Sequence, residues 1–244
     1  MISNAEIKRV KALQSKKFRD ESGLFVVEGE KMVAEALESG LQVEAVYRRD
    51  EIGEQAMARI SSLNSPSPVL AVVRQAAAPD IDEIRSFVRS CGRDMLAIAL
   101  DEIRDPGNLG TIIRLADWYG IDAVFCSAGT VELYNPKVVQ STMGAIFRKK
   151  VIYCDLNNIF DIFASNGLPI YGNFLEGEDI YRSELSSGGL IVMGNEANGI
   201  SPELRSRISA KLFIPPYPGN RKTAESLNVA IATAITVSEF RRRR

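Results

Sequence analysis

An α/β fold is predicted for this chain, with a C-terminal, mostly parallel sheet covered by helices and a small N-terminal α/β layer before it. Two observations predict it. Short apolar runs alternate with segments of helical periodicity along most of the chain. The polar stretch Ser90-Cys-Gly-Arg-Asp94 lies between two apolar runs and separates residues 1–90 from 91–244.

The first part opens with Ile7, Val10, Leu13 and Phe18 interleaved with basic residues, which reads as an amphipathic helix. A strand at 24–27 follows. The helix at 30–39 turns Met32, Val33, Ala36 and Leu37 inward and stops at Gly40. A strand at 43–47, a helix at 52–63, a strand at 69–73 and a helix at 81–88 complete this layer. In the second part strands are expected at 96–100, 123–126, 150–153, 169–172, 190–193 and 211–214. Helices are expected at 109–119, 136–146, 159–164 and 226–241. Such alternation implies parallel strands joined by helices.

Composition narrows the chemistry. The chain has 244 residues, 45% hydrophobic and 25% charged, and a formal net charge of −1. That is the make-up of a globular chain able to bury a core. Its apolar runs are too short to span a bilayer, its first residues have no apolar core of a signal peptide, and a cytoplasmic location is expected. There is no histidine, which removes Ser-His-Asp and Cys-His catalysis and histidine metal sites. Cys91, Cys126 and Cys154 lack paired spacing, so neither a disulfide framework nor a zinc site is expected. Basic residues cluster at Lys8–Arg19, Arg148–Lys150, Arg221–Lys222 and Arg241–Arg244, and such patches suit phosphates or a solvated surface.

Three segments carry the chemistry. The first, Asp105-Pro-Gly-Asn-Leu-Gly-Thr-Ile-Ile-Arg114, follows the strand at 96–100, where active sites of open sheets form. Asn108 can cap the helix, and Arg114 on its first turns opposes the dipole unless another charge favours it. A salt bridge to Asp117 is the plain alternative. The second, Gly194-Asn-Glu-Ala-Asn-Gly-Ile-Ser201, follows a buried strand and places a carboxylate, Glu196, directly after it. The third, Ser226-Leu-Asn-Val-Ala-Ile-Ala-Thr-Ala-Ile235, opens a helix rich in small residues, with Ser226 and Asn228 as candidate caps.

In this order the three segments resemble the motifs of the SpoU/TrmH branch of the SPOUT methyltransferases, and the resemblance covers nearly the whole chain. It implies transfer of a methyl group from S-adenosylmethionine to a ribose 2′-hydroxyl of RNA, ribosomal RNA rather than transfer RNA. It implies a catalytic set of Asn108, Arg114, Glu196, Ser226 and Asn228. It implies cofactor contacts from Met193, Gly194, Asn195, Ile214, Pro216, Ser226, Leu227 and Asn228. It also implies a trefoil knot, a homodimer without a metal, and residues 1–90 as an RNA substrate-binding domain. Arginine titrates too high to be an ordinary general base. Orientation of the ribose and stabilisation of alkoxide charge suit Arg114 better, with a phosphate, Glu196 or water taking the proton. The segment 215–225 is long for the family and carries Arg221 and Lys222. An idle RNA-binding or ribosome-assembly factor on the same fold is the alternative, which the intact motif residues oppose. A nicotinamide dehydrogenase is disfavoured, since no strand is followed by GxGxxG.

Overall fold

A computed structural model describes residues 2–218 and 224–242. The expected contacts of Arg221 and Lys222, and of Arg243 and Arg244, lie outside the described residues. In chain order the elements are α1 (Asn4–Ala12), α2 (Lys16–Ser22), β1 (Leu24–Glu28), α3 (Glu30–Glu38), β2 (Val43–Arg48), α4 (Arg49–Ile52), α5 (Glu54–Ile60) and β3 (Val69–Arg74). Then come α6 (Ile81–Cys91), β4 (Leu96–Leu100), α7 (Pro106–Trp118), β5 (Ala123–Cys126), α8 (Pro136–Ser141), β6 (Lys150–Tyr153) and α9 (Leu156–Ser165). The chain closes with β7 (Ile170–Phe174), β8 (Glu178–Asp179), β9 (Gly189–Met193), α10 (Pro202–Arg205), β10 (Ala210–Phe213) and α11 (Val229–Arg242).

Two compact units form. One holds the residues up to Ala77 together with Glu132–Arg148, and the other holds Ala78–Val131 and the residues from Lys149 on. The first contains an antiparallel sheet in the order β1-β3-β2. Its core gathers Ile7, Val10, Leu24, Val26, Tyr47, Met57, Ile60, Leu70 and Val72. The expected single helix through Phe18 is broken into α1 and α2. Phe18 is 46% exposed, and Arg19 takes the interior place at 2% exposure. Arg19 can be buried because its guanidinium donates to Leu13 O at 2.7 Å and to Glu132 Oε1 at 2.5 Å. The helix expected at 52–63 is shorter, Glu54–Ile60, and Gly53, whose φ of +85° interrupts the helical path, separates it from the one-turn α4.

The helix expected at 136–146 ends early as α8. Met143 and Gly144 adopt left-handed backbone, so Met143 swings outward to 47% exposure while Val138 and Val139 stay buried. A Cβ on Gly144 would collide with the Glu35 carboxylate, which is paired with Arg148. Tyr134 stacks against Phe25 at 4.5 Å and donates nothing to Ala76; its hydroxyl oxygen accepts the Ala76 N–H at 3.0 Å. These contacts hold 132–148 to the first unit.

The second unit is a seven-stranded parallel sheet in the order β6-β5-β4-β9-β7-β10-β8. The division expected at 90–94 falls earlier. Ile84 and Val88 of α6 are buried in the same core as Met95, Phe160 and Phe163, and Gly92–Asp94 is a tight 3-10 turn rather than a linker. Basic residues at 149–150 are used internally. Lys149 donates to Ile121 O at 3.2 Å, and the Lys150 ammonium sits 4.0 Å from the Phe87 ring centroid.

Glu28 shows how a buried charge is satisfied in the first unit. It accepts from Ser61 Oγ at 2.6 Å and from the N–H and Oγ of Ser62, both at 2.7 Å. Glu28→Ala strands the Ser62 amide, and a loss of about 2 kcal/mol in chemical denaturation is expected; an unchanged midpoint would refute this account. Burial, then the charge of Asp155, pushes the Cys154 thiol up to about 12, and burial moves Cys126 further in the same direction. Thiols held neutral are poor nucleophiles. At pH 8 the native protein should therefore resist iodoacetamide at both cysteines and label fully once unfolded, as read by mass spectrometry.

Candidate active site

β4 lies between β5 and β9, so the loops after β4 and β9 emerge side by side at the carboxyl edge of the sheet. They are stitched together. Asp101, 6% exposed, donates its N–H to Met193 O at 2.9 Å and accepts the Ser201 N–H on Oδ2 at 2.7 Å. Glu102 takes left-handed backbone at φ +56°. Its N–H is held by Ser127 Oγ at 2.8 Å, and its carbonyl accepts from Asn195 Nδ2 at 2.8 Å. Such strain persists only where the surroundings fix it, and it gathers at functional loops.

Asn195 also closes its own loop. Its Oδ1 accepts the N–H groups of Ala197 and Asn198, and its backbone pairs with Gly199. Gly194 is required by this closure. A Cβ there would stand 2.2 Å from Gly199 C and from Ile200 N. Its glycine thus admits the returning chain itself.

The helix caps decide which side chains remain free. Asp105 caps α7 by accepting the Asn108 N–H at 2.8 Å, with Pro106 in the first turn. Asn108 is therefore not the cap that the sequence suggested, and its amide points elsewhere. Nδ2 donates to Glu196 Oε1 at 2.7 Å, while Oδ1 accepts from Asn228 Nδ2 at 2.9 Å. Asn228 in turn caps α11 by accepting the N–H groups of Ala230 and Ile231. One hydrogen-bonded line, Glu196–Asn108–Asn228, thus joins the three motif segments. At the far end of the same helices Arg241 donates to the carbonyls of Tyr119 and Gly120 at 2.8 and 2.6 Å. A cation there also complements the carboxyl end of the α7 dipole.

The other expected residues are placed as follows. Arg114 lies past the midpoint of the thirteen-residue α7, not in its first turns, so the helix dipole weighs little on it. It is exposed and makes no hydrogen bond or ion pair among the described residues. Asp117 is instead 3.9 Å from Lys149 Nζ. Ser226 is exposed before α11, whose first amides are capped by Asn228 instead. Leu227 is half exposed, Pro216 is exposed and Ile214 is part-buried; Met193 is buried at the end of β9. Among the described residues no group of three or more His, Cys, Asp or Glu could hold a metal.

The sequence reading missed three residues here. Asp105 is followed by Pro106, the pattern of a cap before a first-turn proline, and could have been found. Asp101 gave no signal beyond its place after a strand. Asn173 is a polar residue in the apolar strand β7, and its Oδ1 is buried without a hydrogen-bond partner.

Comparison with known proteins agrees with this geometry. Residues 95–238 match the SpoU rRNA Methylase family, and residues 4–77 match the MRM3-like substrate binding domain. A relative in Bacillus subtilis, the 23S rRNA (guanosine(2553)-2′-O)-methyltransferase RlmP, is 31% identical over 98% of this chain and 96% of its own. A TrmH-family protein from Porphyromonas gingivalis has a solved structure similar at a TM-score of 0.87, with 34% identity and both chains covered in full. An AdoMet-bound rRNA methyltransferase from Sinorhizobium meliloti aligns at a TM-score of 0.86 and 29% identity, over 100% of this chain and 96% of that one. With its family model spanning the sheet and all three motif segments, the chain belongs to the SpoU rRNA methylase family.

Proposed function

We propose that this protein moves the methyl group of S-adenosylmethionine to a ribose 2′-hydroxyl of structured RNA, and that this RNA is ribosomal. The observation that carries the reading is the line Glu196–Asn108–Asn228, which brings three distant segments to one edge of the sheet. The rRNA specificity in the name of the Bacillus relative and the cofactor in the Sinorhizobium structure support it.

The residues present fit that cofactor. Leu227 and Ile214 offer apolar surface before α11 and after β10, and Asn173 Oδ1 is an acceptor that lacks a donor. The cofactor supplies an electrophilic methyl group on a sulfonium. The protein's part is position and charge. The Arg114 guanidinium, without a partner among the described residues, orients the ribose and stabilises negative charge on the 2′-oxygen. Glu196 has Oε1 fixed by Asn108, and its carboxylate receives the proton, directly or through water.

The first unit holds the RNA. Lys8 and Lys11 are exposed on α1, and Lys16 and Lys17 on α2 make only surface pairs with Asp20 and Glu21. The protein acts as a homodimer in the cytoplasm. Trp118 at 84% and Ile231 at 53% exposure give α7 and α11 the apolar surface that a second copy would cover. Among the described residues no helix is long and apolar enough to cross a membrane.

Two measurements test the reading. In calorimetric titration with S-adenosylmethionine, Glu196→Ala releases Asn108 and weakens binding about tenfold or more, which corresponds to roughly 1.4 kcal/mol. Binding to neither wild type nor variant would leave an idle RNA-binding protein. With RNA saturating, Arg114→Lys lowers kcat on the order of 100-fold because lysine lacks the planar fork, while cofactor affinity holds. Full turnover by that variant would remove Arg114 from the mechanism.

A further inference from the structure

Across the carboxyl ends of the central strands, paired residues form one row on one face of the sheet. Cys126 of β5 pairs with Leu100 of β4 and Leu100 with Met193 of β9, while Asn173 of β7 pairs with Leu212 of β10, and the two sets meet where Asn173 Nδ2 lies 3.2 Å from Met193 Sδ. Four are buried and apolar. Asn173 is the polar exception. A primary amide in such a row is costly unless each of its groups has a partner.

Half of it is satisfied. Asn173 Nδ2 donates to Thr236 Oγ1 of α11 at 2.6 Å and lies 3.2 Å from Met193 Sδ. The Thr236 hydroxyl donates to Ala232 O at 2.9 Å, so toward Asn173 it can only accept. That fixes which way the amide faces. Oδ1 is then the acceptor, and no described residue donates to it. An orphaned buried acceptor of this kind asks for a donor that the described residues do not supply.

We propose that Asn173 Oδ1 accepts a hydrogen bond from the exocyclic amino group of the cofactor's adenine, making Asn173 a cofactor-selecting residue. This rests on the cofactor reading above. The row lies one residue short of Gly194 and two short of Ile214, at the edge where the cofactor is placed. The choice among the cofactor's donors follows from the surroundings. A methionyl ammonium would lose its hydration beside Met193, Leu100 and Leu212 with no carboxylate in the row. A ribose hydroxyl brings an acceptor of its own, whereas the exocyclic amine, its lone pair drawn into the ring, only donates, and the flat ring that carries it can stack on apolar side chains. Met193, unbranched and flexible, is the side chain that swings aside to admit the ring.

The test is calorimetric titration of the full chain with S-adenosylhomocysteine and with S-inosylhomocysteine, whose ring carries a carbonyl in place of the amine. Wild type should prefer the adenosyl compound by about tenfold or more, because the inosyl carbonyl would face Oδ1 with no proton between them. Asn173→Ala should lose that preference while its thermal unfolding stays cooperative. Thr236→Val, which frees the amide to turn, should reduce the preference without removing the acceptor. Equal binding of the two compounds by wild type overturns the assignment and leaves the cofactor reading intact. A preference that survives in Asn173→Ala overturns it as well. Binding of neither compound by wild type overturns the cofactor reading, and this assignment with it.

Discussion

The side-chain amide of Asn108 is the interaction on which the site depends. It donates to a residue 88 positions later and accepts from one 120 positions later. It is free to do so because Asp105 already serves the helix end. Without that aspartate, Asn108 would be drawn back to its own backbone, as asparagine near a helix start usually is. The site is thus built on a cap chosen three residues upstream. The same two helices are fastened again where Arg241 meets the end of α7. A pair of helices tied at both ends cannot slide, and sliding by one turn would carry Asn228 away from Asn108.

The loops beneath are equally determined. Asp101, Glu102, Asn195 and Gly194 join the segments after β4 and β9 through backbone and side-chain bonds. The left-handed Glu102 costs free energy that its two hydrogen bonds offset. These loops are held by bonds within the chain itself. Geometry fixed in advance is what a transfer reaction driven by position needs, since the ordering is complete when the substrate binds.

Much of this was legible in the sequence, and for a physical reason. Strands buried on both faces, such as 96–100 and 190–193, read as apolar runs, and the glycines and caps around them mark their ends. The motif residues Asn108, Glu196 and Asn228 were legible as a set, although the sequence assigned Asn108 to a cap it does not make. Three kinds of information were hidden. Helix breaks at Gly53 and at Met143–Gly144 depend on backbone angles that the residue pattern does not fix. Burial of Arg19 depends on Glu132, which is far away in sequence. The boundary near Ala77 depends on which core receives Ile84 and Val88, and a polar run such as 90–94 can be either a linker or a tight turn. Single-chain pattern reading weighs neighbours in sequence, and each of these turns on neighbours in space.

The first unit is not a continuous stretch of chain, and that limits how the protein can be taken apart. It is completed by Glu132–Arg148, which the second unit's sequence carries as an insertion between β5 and β6. A fragment ending near Ala77 would lack Tyr134 over Phe25 and Glu132 against Arg19, leaving a buried arginine with no carboxylate. The complementary fragment would carry α8 with Val138 and Val139 bare to water. Exchange of the residues up to Ala77 alone would therefore separate the first unit from the Glu132–Arg148 segment that completes it.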